Sequence, residues 1–166
     1  MSASNLDELF LDLLKDTYDA EKQLSKALPK LAKAASDEHL KEAFESHLGE
    51  TEEQIGRLEQ IFEMLEKPAR GKKCAGMQGL IEEGKEVIDE DMPEAVTDAA
   101  LIAAAQKCEH YEIAAYGTMA TFAKILGMKE ALALLKLTLG EEKAADEKLT
   151  KIAGTINYEA QEEVEA

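Results

Sequence analysis

The sequence predicts an all-α chain. It reads as a four-helix bundle of two antiparallel hairpins joined by a long crossover, and the crossover carries one additional short helix. Three observations point to this. Apolar residues recur at steps of three and four along four long stretches, the spacing of one buried helix face. The composition has no Trp and three Pro, and its abundance of Ala, Leu, Glu and Lys favours helix nearly throughout. The chain also repeats itself: Glu112 follows Glu21, and Glu141 follows Glu50, by the same 91 residues.

With 166 residues the chain fits one domain with a full core, expected over residues 1–156. Ser4 or Asn5 can cap a first helix, with Asp7 and Glu8 in its first turn, where the helix dipole favours acids. Its stripe is Phe10, Leu14, Thr17, Glu21, Leu24, Leu28, Leu31 and Ala35. Pro29 lies inside this pattern and is expected to kink or briefly break the helix. Ser36-Asp37 can end this helix and cap a second, from about Glu38 to Glu66. The second stripe is Leu40, Phe44, His47, Thr51, Ile55, Leu58, Phe62 and Leu65.

Lys67-Pro68-Ala69-Arg70-Gly71-Lys72-Lys73 reads as a solvated loop. A short helix follows, from about Met77 to Asp89, and Asp91-Met92-Pro93 ends it. The third long helix starts near Pro93 or Glu94, since Pro suits a helix start, and it stops at Gly127. Its stripe includes Leu101, Ala105, Cys108, Glu112, Ala115, Met119, Phe122 and Leu126. The fourth begins near Met128, with Leu132, Leu135, Leu139, Glu142, Asp146, Leu149 and Ala153 on its stripe. The stretch 157–166 is acidic and without periodicity, so it is expected to be a disordered tail.

The 91-residue offset also aligns Leu-Gly-Glu at 48–50 with Leu-Gly-Glu at 139–141, and Leu31-Ala32-Lys33 with Phe122-Ala123-Lys124. Each half is a helical hairpin with an acid on each helix. Two such hairpins with a long crossover make a four-helix bundle of the ferritin-like kind.

Seven polar residues fall on or beside the apolar stripes: Glu21, His47, Glu50, Glu109, Glu112, Glu142 and Asp146. In an antiparallel bundle they meet in one layer. Several carboxylates within ~4–6 Å of one another cannot all stay charged unaided. They take up protons, pair with Lys or Arg, or bind cations. No Lys or Arg lies on the stripes near them. Two divalent ions would neutralise four carboxylates, and oxygen donors with a histidine suit iron, with manganese as the alternative. On the fourth helix the repeat nominates Glu141 and the apolar stripe nominates Glu142; the stripe is the firmer guide. The Glu-x-x-His pairs of di-iron carboxylate bundles are missing, because Glu53 follows Glu50 and Ala145 follows Glu142 at that spacing.

Charge and composition exclude other classes. A net charge of −16 repels nucleic acid and anionic membrane. No apolar run approaches the ~20 residues of a membrane span. The first residues carry no basic segment followed by an apolar core, so a cytoplasmic setting is expected. Cys74 and Cys108 stand in different elements and read as neither a disulfide nor a zinc site.

Several blocks resemble the bacterial YciE/YciF family of ferritin-like, stress-associated proteins. They are Tyr18-Asp-Ala-Glu21-Lys-Gln, His47-Leu-Gly-Glu50-Thr, Glu109-His-Tyr-Glu-Ile-Ala-Ala-Tyr-Gly117 and Leu139-Gly-Glu-Glu-Lys-Ala-Ala-Asp146. The resemblance runs from about Leu6 to Ala153. It implies a five-helix, rubrerythrin-like fold, a homodimer and a di-iron site. Glu109 matches the extra Glu that rubrerythrin-like proteins carry three residues before the third-helix ligand. The rubredoxin-like cysteine module of rubrerythrin is absent from this sequence, and no electron donor is indicated. Three functions follow: a di-iron site reacting with dioxygen or peroxide, a metal-binding bundle without turnover, or a structural bundle with a protonated polar layer.

Overall fold

A computed structural model of the chain describes residues 3–162. Among them are five helices and no strand: α1 (Leu6–Ala34), α2 (Glu38–Met64), α3 (Ala75–Asp89), α4 (Glu94–Ile125) and α5 (Lys129–Glu162). The pairs α1/α2 and α4/α5 are the expected hairpins, and α3 lies in the crossover against α1 and α4. The fold is therefore the helical bundle of ferritin-like type that the sequence predicts.

Local chemistry sets the boundaries. Asn5 caps α1 by accepting from the Glu8 amide at 2.8 Å, and Glu8 reaches back to accept from the Ser4 amide at 2.8 Å, a reciprocal box that satisfies orphan donors. α1 continues through Pro29 without a break. Asp37 caps α2, accepting from the Leu40 amide. Gly127, at φ +73°, takes the left-handed turn that ends α4.

The C-terminal stretch differs from the sequence reading. The stretch expected to be disordered from Asn157 is helical as far as Glu162. The helix outlasts its apolar stripe because Ile156 is still buried, and the Ala, Gln and Glu residues that follow are good helix formers. Residues 163–166 of that expected tail lie outside the described residues. The crossover loop is solvated as read, exposed at every position from Lys67 to Lys73 but Lys72, and it is also tied to α1. The Lys72 amide donates to the Lys15 carbonyl at 3.1 Å, and Lys72 Nζ pairs with Asp12 at 2.8 Å. The Cys74 amide donates to Asp19 at 2.7 Å.

Asp98 of α4 joins the halves at one end. Its buried carboxylate accepts from the Ser36 amide at 2.9 Å and the Asp37 amide at 2.8 Å. Charge-assisted bonds of this kind are strong. Asp98→Ala is expected to lower stability by about 2 kcal/mol in urea melts.

The core is divided. One apolar cluster contains Leu24, Leu28, Phe44, Leu101 and Leu149. The other contains Phe10, Leu14, Leu58, Phe62, Tyr116 and Leu135. Along every long helix the passage from one cluster to the other crosses a short polar stretch: Glu21 on α1, His47 to Gln54 on α2, Glu109 to Glu112 on α4, and Thr138 to Glu142 on α5. Because neighbouring helices run antiparallel, these four stretches coincide and form one layer in mid-bundle.

Candidate metal centre

Periodicity alone delivers the residues of this layer. Glu21, Glu112 and Glu142 occupy stripe positions otherwise filled by Leu or Phe, so packing the stripe buries the acids with it. All three are fully buried at 0 % exposure, while Glu109 and His47 are buried beside them. Ligand atoms from His47, Glu109, Glu112 and Glu142 all lie within 4.8 Å of one another.

The donors lack partners. Both oxygens of Glu112 and both of Glu142 are buried without a hydrogen bond, as are Oε2 of Glu21 and Oε2 of Glu109. His47 Nε2 stands 3.1 Å from Glu109 Oε1 but out of hydrogen-bond alignment, and it too is unpartnered. Among the described residues, no Lys or Arg nitrogen lies within 4.0 Å of any of these four carboxylates. Buried polar groups are normally satisfied, so a cluster of orphans needs an explanation. The donor set fits a cation: four carboxylates and one imidazole are the oxygen-rich chemistry that iron and manganese prefer.

The electrostatics agree. Burial pushes the Glu21 carboxyl up to about 7, and the Glu142 carboxylate adds to the shift. Burial also holds Glu109 and Glu112 well above the usual carboxylate range, reinforced by Glu142 for the first and by Glu21 and Glu142 for the second. Burial alone would lower the imidazole of His47, but Glu50, Glu142 and Glu21 outweigh it and raise the group. A carboxyl raised on folding binds more protons folded than unfolded, so stability falls as pH rises through that window. Metal-free protein is therefore expected to lose stability between about pH 4.5 and 7. Urea melts of chelated protein measure this. Surface repulsion acts in the same direction, so Glu21→Gln is the reference and should show a shallower slope.

The structure does not bring all seven sequence candidates together. Glu21, His47, Glu109, Glu112 and Glu142 share the layer. Glu50 does not enter it: its side chain is 41 % exposed and stands 3.4 Å from His47 Nδ1. Asp146 is half-buried at the edge of the layer, bonded to Gln106 at 3.2 Å and near His110 Nε2 at 3.2 Å. Glu142, which the stripe favoured, points inward, whereas Glu141 turns aside to Arg57 Nη2 at 2.8 Å and Gln54 at 3.1 Å.

Residues beyond the seven candidates also reach the layer. Tyr116 is buried and donates its hydroxyl to Glu21 Oε1, a role no spacing rule announces. Thr51 stands 91 residues before Glu142, so the repeat assigns it the equivalent inward slot. It is buried with its hydroxyl unpartnered, as is the Gln54 side-chain carbonyl. Cys108 is what its stripe position suggested, a small buried residue whose thiol burial pushes up to about 12.

Comparisons with known proteins place this geometry in a family. Residues 5–162 match the family described as "Domain of unknown function (DUF892)". The chain is 52% identical over 163 residues to Protein YciF of Escherichia coli K12, covering 97% of this chain and 98% of that protein. The crystal structure of the E. coli stress protein YciF matches with a TM-score of 0.91 at 52% identity, over 94% of this chain and 99% of that one. YcfI of Rhodopseudomonas palustris matches with a TM-score of 0.87 at 42% identity, over 90% of this chain and 97% of that one. A Xanthomonas campestris protein at 21% identity and a TM-score of 0.77 shares the fold. The chain belongs to the DUF892 family, to which its likeness to the stress protein YciF gives a recognisable member.

Proposed function

We propose that the chain is a metal-carboxylate protein of the ferritin-like class, holding iron or manganese in the mid-bundle layer and serving a stress response as a cytoplasmic homodimer. One observation carries the reading. Four buried donors from three helices, His47, Glu109, Glu112 and Glu142, converge within 4.8 Å with unpartnered ligand atoms, Glu21 is buried beside them with one free oxygen, and among the described residues no Lys or Arg lies close enough to neutralise them. Four carboxylates match the charge of two divalent ions. His47, Glu109, Glu112 and Glu142 form the tighter group, and Glu21 supplies the fourth carboxylate.

Each residue has a defined task. Glu109, Glu112 and Glu142 supply charge. His47 offers Nε2 inward, and Glu50 accepts from Nδ1–H, which fixes the ring and its tautomer. Tyr116 holds Glu21 in place by its hydroxyl. The apolar clusters above and below shield the layer from both ends of the bundle. A bound iron pair would supply redox chemistry toward dioxygen or peroxide.

Metal analysis of protein purified without chelator tests the reading, followed by peroxide consumption against the metal-free protein. Bound iron or manganese is expected; protein that takes up neither ion at millimolar concentration would refute it. Glu50→Ala removes an orienting group and not a ligand, so it is expected to weaken metal binding only about tenfold, as read by competition with a chromogenic chelator.

A second reading has its own support. Burial already raises Glu21 to about 7, so a protonated polar layer can persist without metal. That version would be a structural bundle, the role suggested for YcfI.

A further inference from the structure

The centre is sealed by apolar residues toward both ends of the bundle, but it is open at one side. Between α2 and α5 a cleft of about 100 Å³ reaches inward from the surface. Its rim carries Glu50 and Lys148, its wall the small side chains of Ala144 and Ala145, and its floor His47 and Glu109. The floor is the significant part. His47 and Glu109 are buried, and each presents to this layer a polar atom with no partner, Nε2 and Oε2. A cleft of this volume admits several waters in file. Larger side chains in place of the two alanines would close it.

We propose that the α2/α5 cleft is the port through which a divalent cation reaches the buried donors. The inference rests on the metal-centre reading. Glu50 at the rim is the first carboxylate an incoming ion meets, and Lys148 opposite sets a positive charge against it. The path is short, because the same His47 and Glu109 that floor the cleft belong to the donor group. No helix has to separate from the bundle for the ion to arrive.

Stopped-flow loading of the metal-free protein with cobalt(II), whose visible absorption reports bound nitrogen and oxygen donors, tests the port separately from the centre. Ala144→Phe fills the exposed wall and is expected to slow loading roughly tenfold or more by occluding the cleft, with the final cobalt content unchanged. Ala133→Phe, also exposed on α5, is expected to load at the wild-type rate. Lys148→Glu is expected to speed loading roughly threefold to tenfold at low ionic strength, with the gain fading in high salt. If Ala144→Phe loads as fast as wild type, the port is elsewhere and the centre stands. If Ala144→Phe loses final capacity, an unchanged rate in Lys148→Glu overturns the port. If wild type never develops the cobalt spectrum at equilibrium, the centre and its port fall together.

Discussion

Replacing Glu112 by Gln is expected to weaken metal binding roughly a hundredfold, about 2.7 kcal/mol. Glu112, like its repeat partner Glu21, is singled out by the apolar stripe, the internal repeat and a family block together, and the structure buries it completely with both oxygens free. The amide keeps the shape and removes the charge, so an ion loses a ligand and half of its local neutralisation. The metal-free protein should respond in the opposite sense. Burial and the neighbouring carboxylates already disfavour the charged form of Glu112. Glu112→Gln removes that penalty where it matters, so the metal-free variant should equal wild type near pH 5 and exceed it near pH 8. Glu52→Gln, at an exposed position of α2, should change neither property. Calorimetric titration and urea melts read the two effects independently. A variant that lost stability without metal while binding it fully would make Glu112 a structural hydrogen-bonding residue.

Metal removal is the larger perturbation. An ion that binds only the folded chain, present at a thousand times its dissociation constant, stabilises by about 4 kcal/mol. For a chain of this size that is a rise in Tm of roughly 8–16 °C. The gain is specific to the layer, since it answers carboxylates that otherwise crowd one another without counter-charges. Thermal melts in chelator, in manganese and in anaerobic ferrous ion would show it. Magnesium is the control, because it keeps its waters and fits a site containing imidazole poorly. Equal midpoints in all four conditions would leave the structural reading standing in place of the metal centre.

Much of this was legible in the sequence, for physical reasons that differ by residue. Every residue from Phe10 to Ala35 on the first stripe is buried, because a helix repeats every 3.6 residues and only one face meets the core. The same rule placed Glu21, Glu112 and Glu142. Where the rule met a choice within one turn, it needed help. Glu141 and Glu142 differ by about 100° around the helix axis, and what draws Glu141 outward is Arg57, 84 positions away. Glu50 looked like a ligand because it neighbours His47, yet the stripe belongs to His47. The repeat aligned Glu50 with Glu141, and both flank the centre; the inward slot it defines is Glu142 in one half and Thr51 in the other. Asp146 fits the stripe by spacing, but Gln106 and His110 hold its half-buried carboxylate to one side. No local pattern encodes such long-range partners. The helical extension past Asn157 was missed because low hydrophobicity was read as disorder, although helix propensity there stays high.

The split of the donors between the two hairpins has a kinetic meaning. Glu21 and His47 belong to the first hairpin, and Glu109, Glu112 and Glu142 to the second. Each hairpin can form from contacts close in sequence, before the halves meet. Neither holds the full donor group, so the centre comes into being only at docking. An ion bound there would do little to hasten the first events of folding; it would hold the finished bundle shut. The chain would keep its speed of assembly and gain, if loaded, a slower rate of coming apart. For a relative of a stress protein, that would make metal supply a setting on lifetime as much as on chemistry.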